Sequence, residues 1–340
     1  MERLIDLVKK FTEIAGPSGR EEEIREAILR SLDGYVDGHK VDKVGNLIVW
    51  KNGRENRKIL LDAHMDEIGV VVTHIDEAFL RVEPIGGVSP RYLLGAGIRF
   101  LVDPPVYGVV GVEGESIEEY NKNLKELSFD KIYVDVCASS KEELKERIKI
   151  GTFGVYDSRF REIAGRYVSK AMDDRIGCAV LVQLMRELVD PRYTVYCVFS
   201  MQEETGLVGA SVAAYDLQPD VAIAVDVTAS VDTPKANKRM AMKLDAGPAI
   251  KVMDRASISD RRVVDKLIEV AEKHGIPHQM EVLILGGTNA AAYQRTRSGI
   301  PSATVSIPTR YVHSPHEVVS ENDVLNTVKL LKHYVEEAFD

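Results

Sequence analysis

Cysteine is scarce in this chain: Cys137, Cys178 and Cys197 are the only three among 340 residues. None forms a CxxC pair and one is left over from any pairing, which argues against a disulfide framework. Each sits in or beside an apolar run (VDVCAS, RIGCAVLV, TVYCVFS), the pattern of small core residues in a reducing compartment. Aromatic residues are also few, at 6% with one Trp at position 50, which does not suit a sugar-binding cleft. There is no basic excess. The 44 Lys and Arg against 53 Asp and Glu give a net charge of −9, so neither nucleic acid nor an anionic membrane is an expected partner. No window approaches the roughly 18 to 20 apolar residues of a membrane span. The start, MERLIDLVKKFTEIAG, carries charges throughout instead of the apolar core of a signal peptide. Internal repeats and low-complexity tracts are missing too. The expectation is a soluble, cytoplasmic protein.

The chain is about twice the usual length of one domain, which predicts two domains or one with an insertion. A first helix over 2–14 ends at Gly16-Pro17, where proline forbids continuation, and Ser18 is placed to cap the next helix, EEEIREAILRSL. Strand-like runs follow at 46–50, 58–62, 193–200, 220–225 and 302–307. They alternate with helix-like segments at 173–188, 260–274 and 321–338. This is the rhythm of an α/β fold: a mainly parallel mixed sheet flanked by helices. The stretch 69–161 breaks it with short Val-rich runs and frequent Gly and Pro, as in RYLLGAGIRFLVDPPVYGVVGVEG. It is read as an inserted small β-barrel-like domain, leaving 1–68 and 162–340 as the main domain.

Most strands of the main domain end in polar residues. KILLDA runs into His64 and Asp66, and YTVYCVFS into Gln202, Glu203 and Glu204. VAIAV leads to Asp226 and Thr228, and ATVSIPTRYV to His313 and His316, while Asp173 and Asp174 open a helix. The carboxyl ends of strands in an open parallel sheet share one edge, so residues far apart in sequence can meet there. Taken singly, each has a plain reading: an acid at a strand end is ordinarily a cap or a solvated loop residue, and a lone histidine a satisfied core residue. The joint pattern is harder to dismiss, because only eight histidines exist and two follow apolar strands beside acids. Two imidazoles and several carboxylates without cysteine suit Zn²⁺, Co²⁺ or Mn²⁺. Five ligands sharing one carboxylate would hold two ions roughly 3.5–4 Å apart, with a further carboxylate free to move a proton. The remaining histidines, His39, His74, His274, His278, His316 and His333, are read as surface or structural, His316 being the first exception to consider.

AHMDEIG at 63–69, KAMDDRIG at 170–177, QEETGLVGA at 202–210, DVT at 226–228, GGTNA at 286–290 and RYVHSPHE at 310–317 carry a resemblance. Together with GPSG at 16–19 they resemble the tetrahedral (TET) aminopeptidases, also called glutamyl or deblocking aminopeptidases, a family of dinuclear metallopeptidases. The resemblance covers nearly the whole chain. It implies a zinc-aminopeptidase-like fold and two divalent ions per subunit, Zn²⁺ or Co²⁺ with Mn²⁺ as a further option. His64 and Asp226 would bind one ion, Glu204 and His313 the other, and Asp173 would bridge them ahead of a cis bond to Asp174. Glu203 would be the general base, with Asp66 behind His64 orienting its imidazole. The inserted domain would dimerise the chain, and dimers would build a hollow dodecamer.

Three positions differ from the family's usual pattern: Asn289 where GGTDA is common, Cys137 where glycine is common, and no histidine near Gly114-Glu115. The expected function is removal of N-terminal residues from peptides. The alternatives are a metal-dependent deacylase of small N-acyl substrates, a glycoside hydrolase (relatives have been labelled endoglucanases), and a scaffold that has lost activity. A glycosidase needs two carboxyl groups flanking a bond and no metal. A dead scaffold would lack some of His64, Asp173, Glu203, Glu204, Asp226 and His313, and none is missing.

Overall fold

A computed structural model describes residues 2–339. The run KILLDA forms a strand because Ile59, Leu60, Leu61 and Ala63 are all buried, on both of its faces. That strand, Glu55–His64, starts before the apolar run, because polar Glu55 still pairs with Tyr193 of the neighbouring strand. Alternate side chains enter different cores. Ile59 and Leu61 join the helices Leu4–Glu13, Met172–Glu187 and Glu321–Glu337 on one face. Leu60 joins the helices Val208–Leu217 and Ala290–Arg295 on the other. A fully buried Leu or Ile of this kind contributes about 1.5–3 kcal/mol.

The main sheet runs, in spatial order, Gly38–Val41, Leu47–Lys51, Tyr193–Ser200, Glu55–His64, Val221–Ala229, Ser302–Arg310, Glu317–Ser320, Arg166–Ser169 and Arg161–Ile163. Ala249–Met253 and Gln279–Val282 branch from Ser302–Arg310. Its four central strands are parallel, so their carboxyl ends lie together: His64 pairs with Ser200, and Asp226 with Ser306. The α/β expectation, a mixed sheet with parallel strands at its heart and helices on both faces, is what the chain adopts.

Strands Gly69–Asp76, Phe79–Ile85, Ile132–Asp135, Val106–Val112, Gly97–Phe100 and Phe153–Tyr156 close into an antiparallel barrel. It has its own core, built from Val70, Val72, Leu80, Val82, Ile98 and Phe100 among others. Two short helices that the strand-only reading of this segment omitted, Ile117–Lys125 and Lys141–Arg147, also lie here. Each starts where a serine accepts from an N–H three residues on, Ser116 from Glu119 and Ser140 from Glu143. Among the described residues, no helix is long and apolar enough to cross a membrane.

One local expectation fails. Ser18 does not cap the second helix, which spans Glu22–Ser31 with Glu21 at its N-cap. The Ser18 hydroxyl donates instead to Asp66 Oδ2 at 2.6 Å, because the loop after Gly16 is folded against the carboxyl ends of the strands.

Candidate metal centre

The carboxyl edge of the parallel strands collects buried polar side chains that the fold cannot solvate. His64, Asp66, Asp173 and Asp226 are each no more than 8% exposed. Asp173 stands between two imidazoles. Its Oδ1 is 3.0 Å from Nε2 of His64 and its Oδ2 is 3.2 Å from Nε2 of His313. Glu204 Oε1 is 3.1 Å from the same His313 nitrogen, and Asp226 Oδ1 is 4.0 Å from His64 Nε2. His64, Asp173 and Glu204, and separately His64, Asp174 and Asp226, each offer ligand atoms that all lie within 4.8 Å of one another. The peptide bond between Asp173 and Asp174 is cis.

Backbone carbonyls fix the tautomer of both histidines. Nδ1 of His64 lies 3.1 Å from the carbonyl oxygen of Asp66, and Nδ1 of His313 lies 3.0 Å from that of Gly87. A carbonyl only accepts, so each Nδ1 carries the proton and each Nε2 of a neutral ring turns a lone pair towards carboxylate oxygens. Lone pairs facing anions at 3.0–3.2 Å require positive charge between them. Burial works against a charged His313, yet its hydrogen bonds to Asp173 and Glu204 push its pKa up to about 12. Burial, and then Asp173, push Asp226 up to about 7. Glu203 is also pushed well up by burial, with Asp226, Glu204 and Asp66 adding to it. Three carboxylates and two imidazole nitrogens converging in this way, with no lysine or arginine among them, fit divalent cations.

Asp66 holds the loop that carries the two glutamates. Its Oδ1 accepts the N–H of Glu203 at 3.0 Å and its Oδ2 that of Glu204 at 3.1 Å, with the Ser18 hydroxyl on Oδ2 as well. Its carboxylate reaches only to 3.4 Å from His64 Nδ1, and its carbonyl does the orienting of the ring. Glu21 adds a second clamp, since its buried Oε1 accepts from Gln202 N at 3.1 Å and Gly19 N at 2.8 Å.

Sequence reasoning passed over several residues. Glu317, buried, accepts the N–H of Asp173 at 3.1 Å and that of His313 at 2.6 Å, tying two distant segments together. The HSPHE run contained it, four residues past His313, and only its backbone contacts reveal its part. Asp174 accepts the His64 N–H at 3.2 Å. The barrel also reaches the centre through Gly86 and Gly87. A Cβ on Gly87 would lie 2.5 Å from His313 Nδ1, and one on Gly86 (φ 74°) would lie 3.0 Å from Glu204. Asn289 turns away from the cluster, donating to Asp62 Oδ1 at 2.6 Å and Ser200 Oγ at 2.9 Å. An aspartate there would set two buried acids side by side, where the amide supplies the donor. His316 lies apart, with Nδ1 3.2 Å from Ser158 Oγ.

Comparison with known proteins adds to this geometry. Residues 45–330 match the M42 glutamyl aminopeptidase family. The lysyl aminopeptidase of Pyrococcus furiosus is 39% identical, over 98% of this chain and 96% of its own. Among solved structures, an aminopeptidase from the archaeon Desulfurococcus kamchatkensis superposes with a TM-score of 0.93. It is 37% identical, over 98% of this chain and 94% of that one. The TET1 peptidase of Pyrococcus horikoshii, which can assemble into a tetrahedron or a large octahedral shell, gives 0.87. It is 35% identical, over 98% of this chain and all of that one.

Proposed function

The chain belongs to the M42 glutamyl aminopeptidase family, and on that premise we propose that it removes N-terminal residues from peptides at a pair of divalent ions held at the carboxyl edge of the sheet. His64 and Asp226 would hold one ion, Glu204 and His313 the other, and Asp173 both. Such ions, when bound, would lower the pKa of a coordinated water towards about 7 and would polarise the scissile carbonyl. The carrying observation is the Asp173 carboxylate lying between two imidazoles whose Nε2 lone pairs both face it.

The rest of the chemistry belongs to the chain's own side chains. The Glu203 carboxylate takes the proton of the attacking water and returns it to the leaving nitrogen, and burial has already raised its affinity for that proton. Asp66 fixes where that carboxylate starts, by holding the Glu203 and Glu204 N–H groups on its two oxygens. The Gly86-Gly87 turn closes one wall and keeps the His313 ring in its tautomer.

The barrel, residues 69–161 in this reading, is the dimerisation domain, and the chain forms a homo-oligomer, as the TET1 relative does. A panel of aminoacyl-p-nitroanilides, with acetylated controls and carboxymethylcellulose, tests the activity after EDTA and after return of Zn²⁺ or Co²⁺. Release only from free-amino substrates, lost with EDTA and restored by metal, is expected. Release only from acylated substrates would make it a deacylase, and EDTA-insensitive sugar release would make it a glycosidase.

A further inference from the structure

Two histidines set aside as surface residues meet at the far side of the molecule. The helix Arg261–Lys273 ends with His274 at its C-cap, and the helix Glu321–Glu337 carries His333 and Glu337 one turn apart. Their ends lie side by side. The two imidazoles stack with centroids 3.6 Å apart and planes 11° apart, and His274 Nε2 is 2.7 Å from Glu337 Oε1. Ligand atoms from His274, His333 and Glu337 all fall within 4.8 Å of one another. The other carboxylate oxygen of Glu337 accepts from Lys273 Nζ at 2.8 Å, which orients the group and leaves Oε1 facing the rings. His274 is 24% exposed and Glu337 14%, so an ion has access from solvent.

The cluster is remote from the candidate metal centre. Tyr334, Ala338 and Phe339 of the same helix end line a cleft with Arg57, Asp220 and Val221, at the amino ends of the central strands. His64 and Asp226 lie towards the opposite ends of those strands, which rise about 3.3 Å per residue.

We propose that His274, His333 and Glu337 form an independent site for a borderline divalent cation such as Zn²⁺ or Cu²⁺, clamping the ends of the two helices. Two imidazole nitrogens with one carboxylate oxygen select such ions over Mg²⁺ and Ca²⁺, which prefer all-oxygen shells. Metal–nitrogen bonds of about 2.0–2.1 Å draw the three donors closer together, a shift that side-chain rotation supplies.

The test is the zinc content of wild-type protein, His333→Ala and Glu337→Gln. Each is purified with its catalytic metals left in place, equilibrated with buffered free Zn²⁺ and analysed by mass spectrometry. The wild type is expected to hold an additional zinc per chain that both variants lack, and added zinc is expected to raise its melting temperature but not theirs. Circular dichroism melts and peptide hydrolysis within about twofold of wild type show that the variants are folded. Equal zinc content in all three proteins, or an excess that survives both substitutions, would overturn the site and leave the cluster as an ion pair between helices.

Discussion

Two groups of histidines and carboxylates sit at opposite edges of one sheet, and their surroundings separate them. At the carboxyl edge His64, Asp173 and Asp226 are buried, each Nδ1 is tied to a carbonyl, and five side chains from five stretches of chain converge without a lysine or arginine among them. At the amino edge two helix ends bring together two stacked rings and one glutamate, partly exposed, with Lys273 already on that glutamate. The same donor atoms therefore carry different demands. At the carboxyl edge a bound cation would offset the charge of buried carboxylates that no lysine or arginine touches. At the helix ends Lys273 already pairs with Glu337, so the carboxylate there has a counter-charge without an ion.

Substitutions sharpen that contrast. Asp173→Ala takes away the carboxylate shared by both imidazoles. It should abolish metal retention and turnover together, a loss of at least about 10³-fold, read by mass spectrometry and p-nitroanilide hydrolysis. Glu203→Gln should keep its metal yet lose about 10²–10⁴-fold in turnover, and full activity would remove Glu203 from the reaction. Glu317→Gln replaces one of two oxygens that hold the Asp173 and His313 N–H groups, and should weaken metal affinity about 10–100-fold in a chelator competition. Gly87→Ala forces a Cβ against His313 and should lower turnover by about tenfold while the rest of the centre still binds metal. His333→Ala, at the other edge, should leave turnover within about twofold of wild type, and a large loss there would erase the distinction between the two clusters.

The carboxyl-edge group was legible because topology does the gathering. Once the apolar runs are read as parallel strands, His64, Glu204, Asp226 and His313 must share an edge however far apart they lie in the chain. What stayed hidden acts through the backbone or across domains. Glu317 binds N–H groups, and no spacing rule points to that. Gly86 and Gly87 matter only because the barrel leans on the centre, and Ser18 looked like a helix cap until the loop folded onto Asp66. Asn289 lies beneath the edge against Asp62 and Ser200, a contact between segments with no local signal. At the amino edge, His333 and Glu337 did stand at helical spacing, but their partner His274 comes from another helix.

The most direct test of the account is the metal titration of EDTA-stripped protein, with peptide hydrolysis followed at each addition. It is best done on His333→Ala, so that the helix-end cluster contributes no ion. The account predicts no hydrolysis from the stripped protein and full recovery as two equivalents per chain are taken up, with neither uptake nor recovery when Asp173→Ala is added to the same chain. Undiminished hydrolysis by protein that mass spectrometry shows to be free of metal would contradict it.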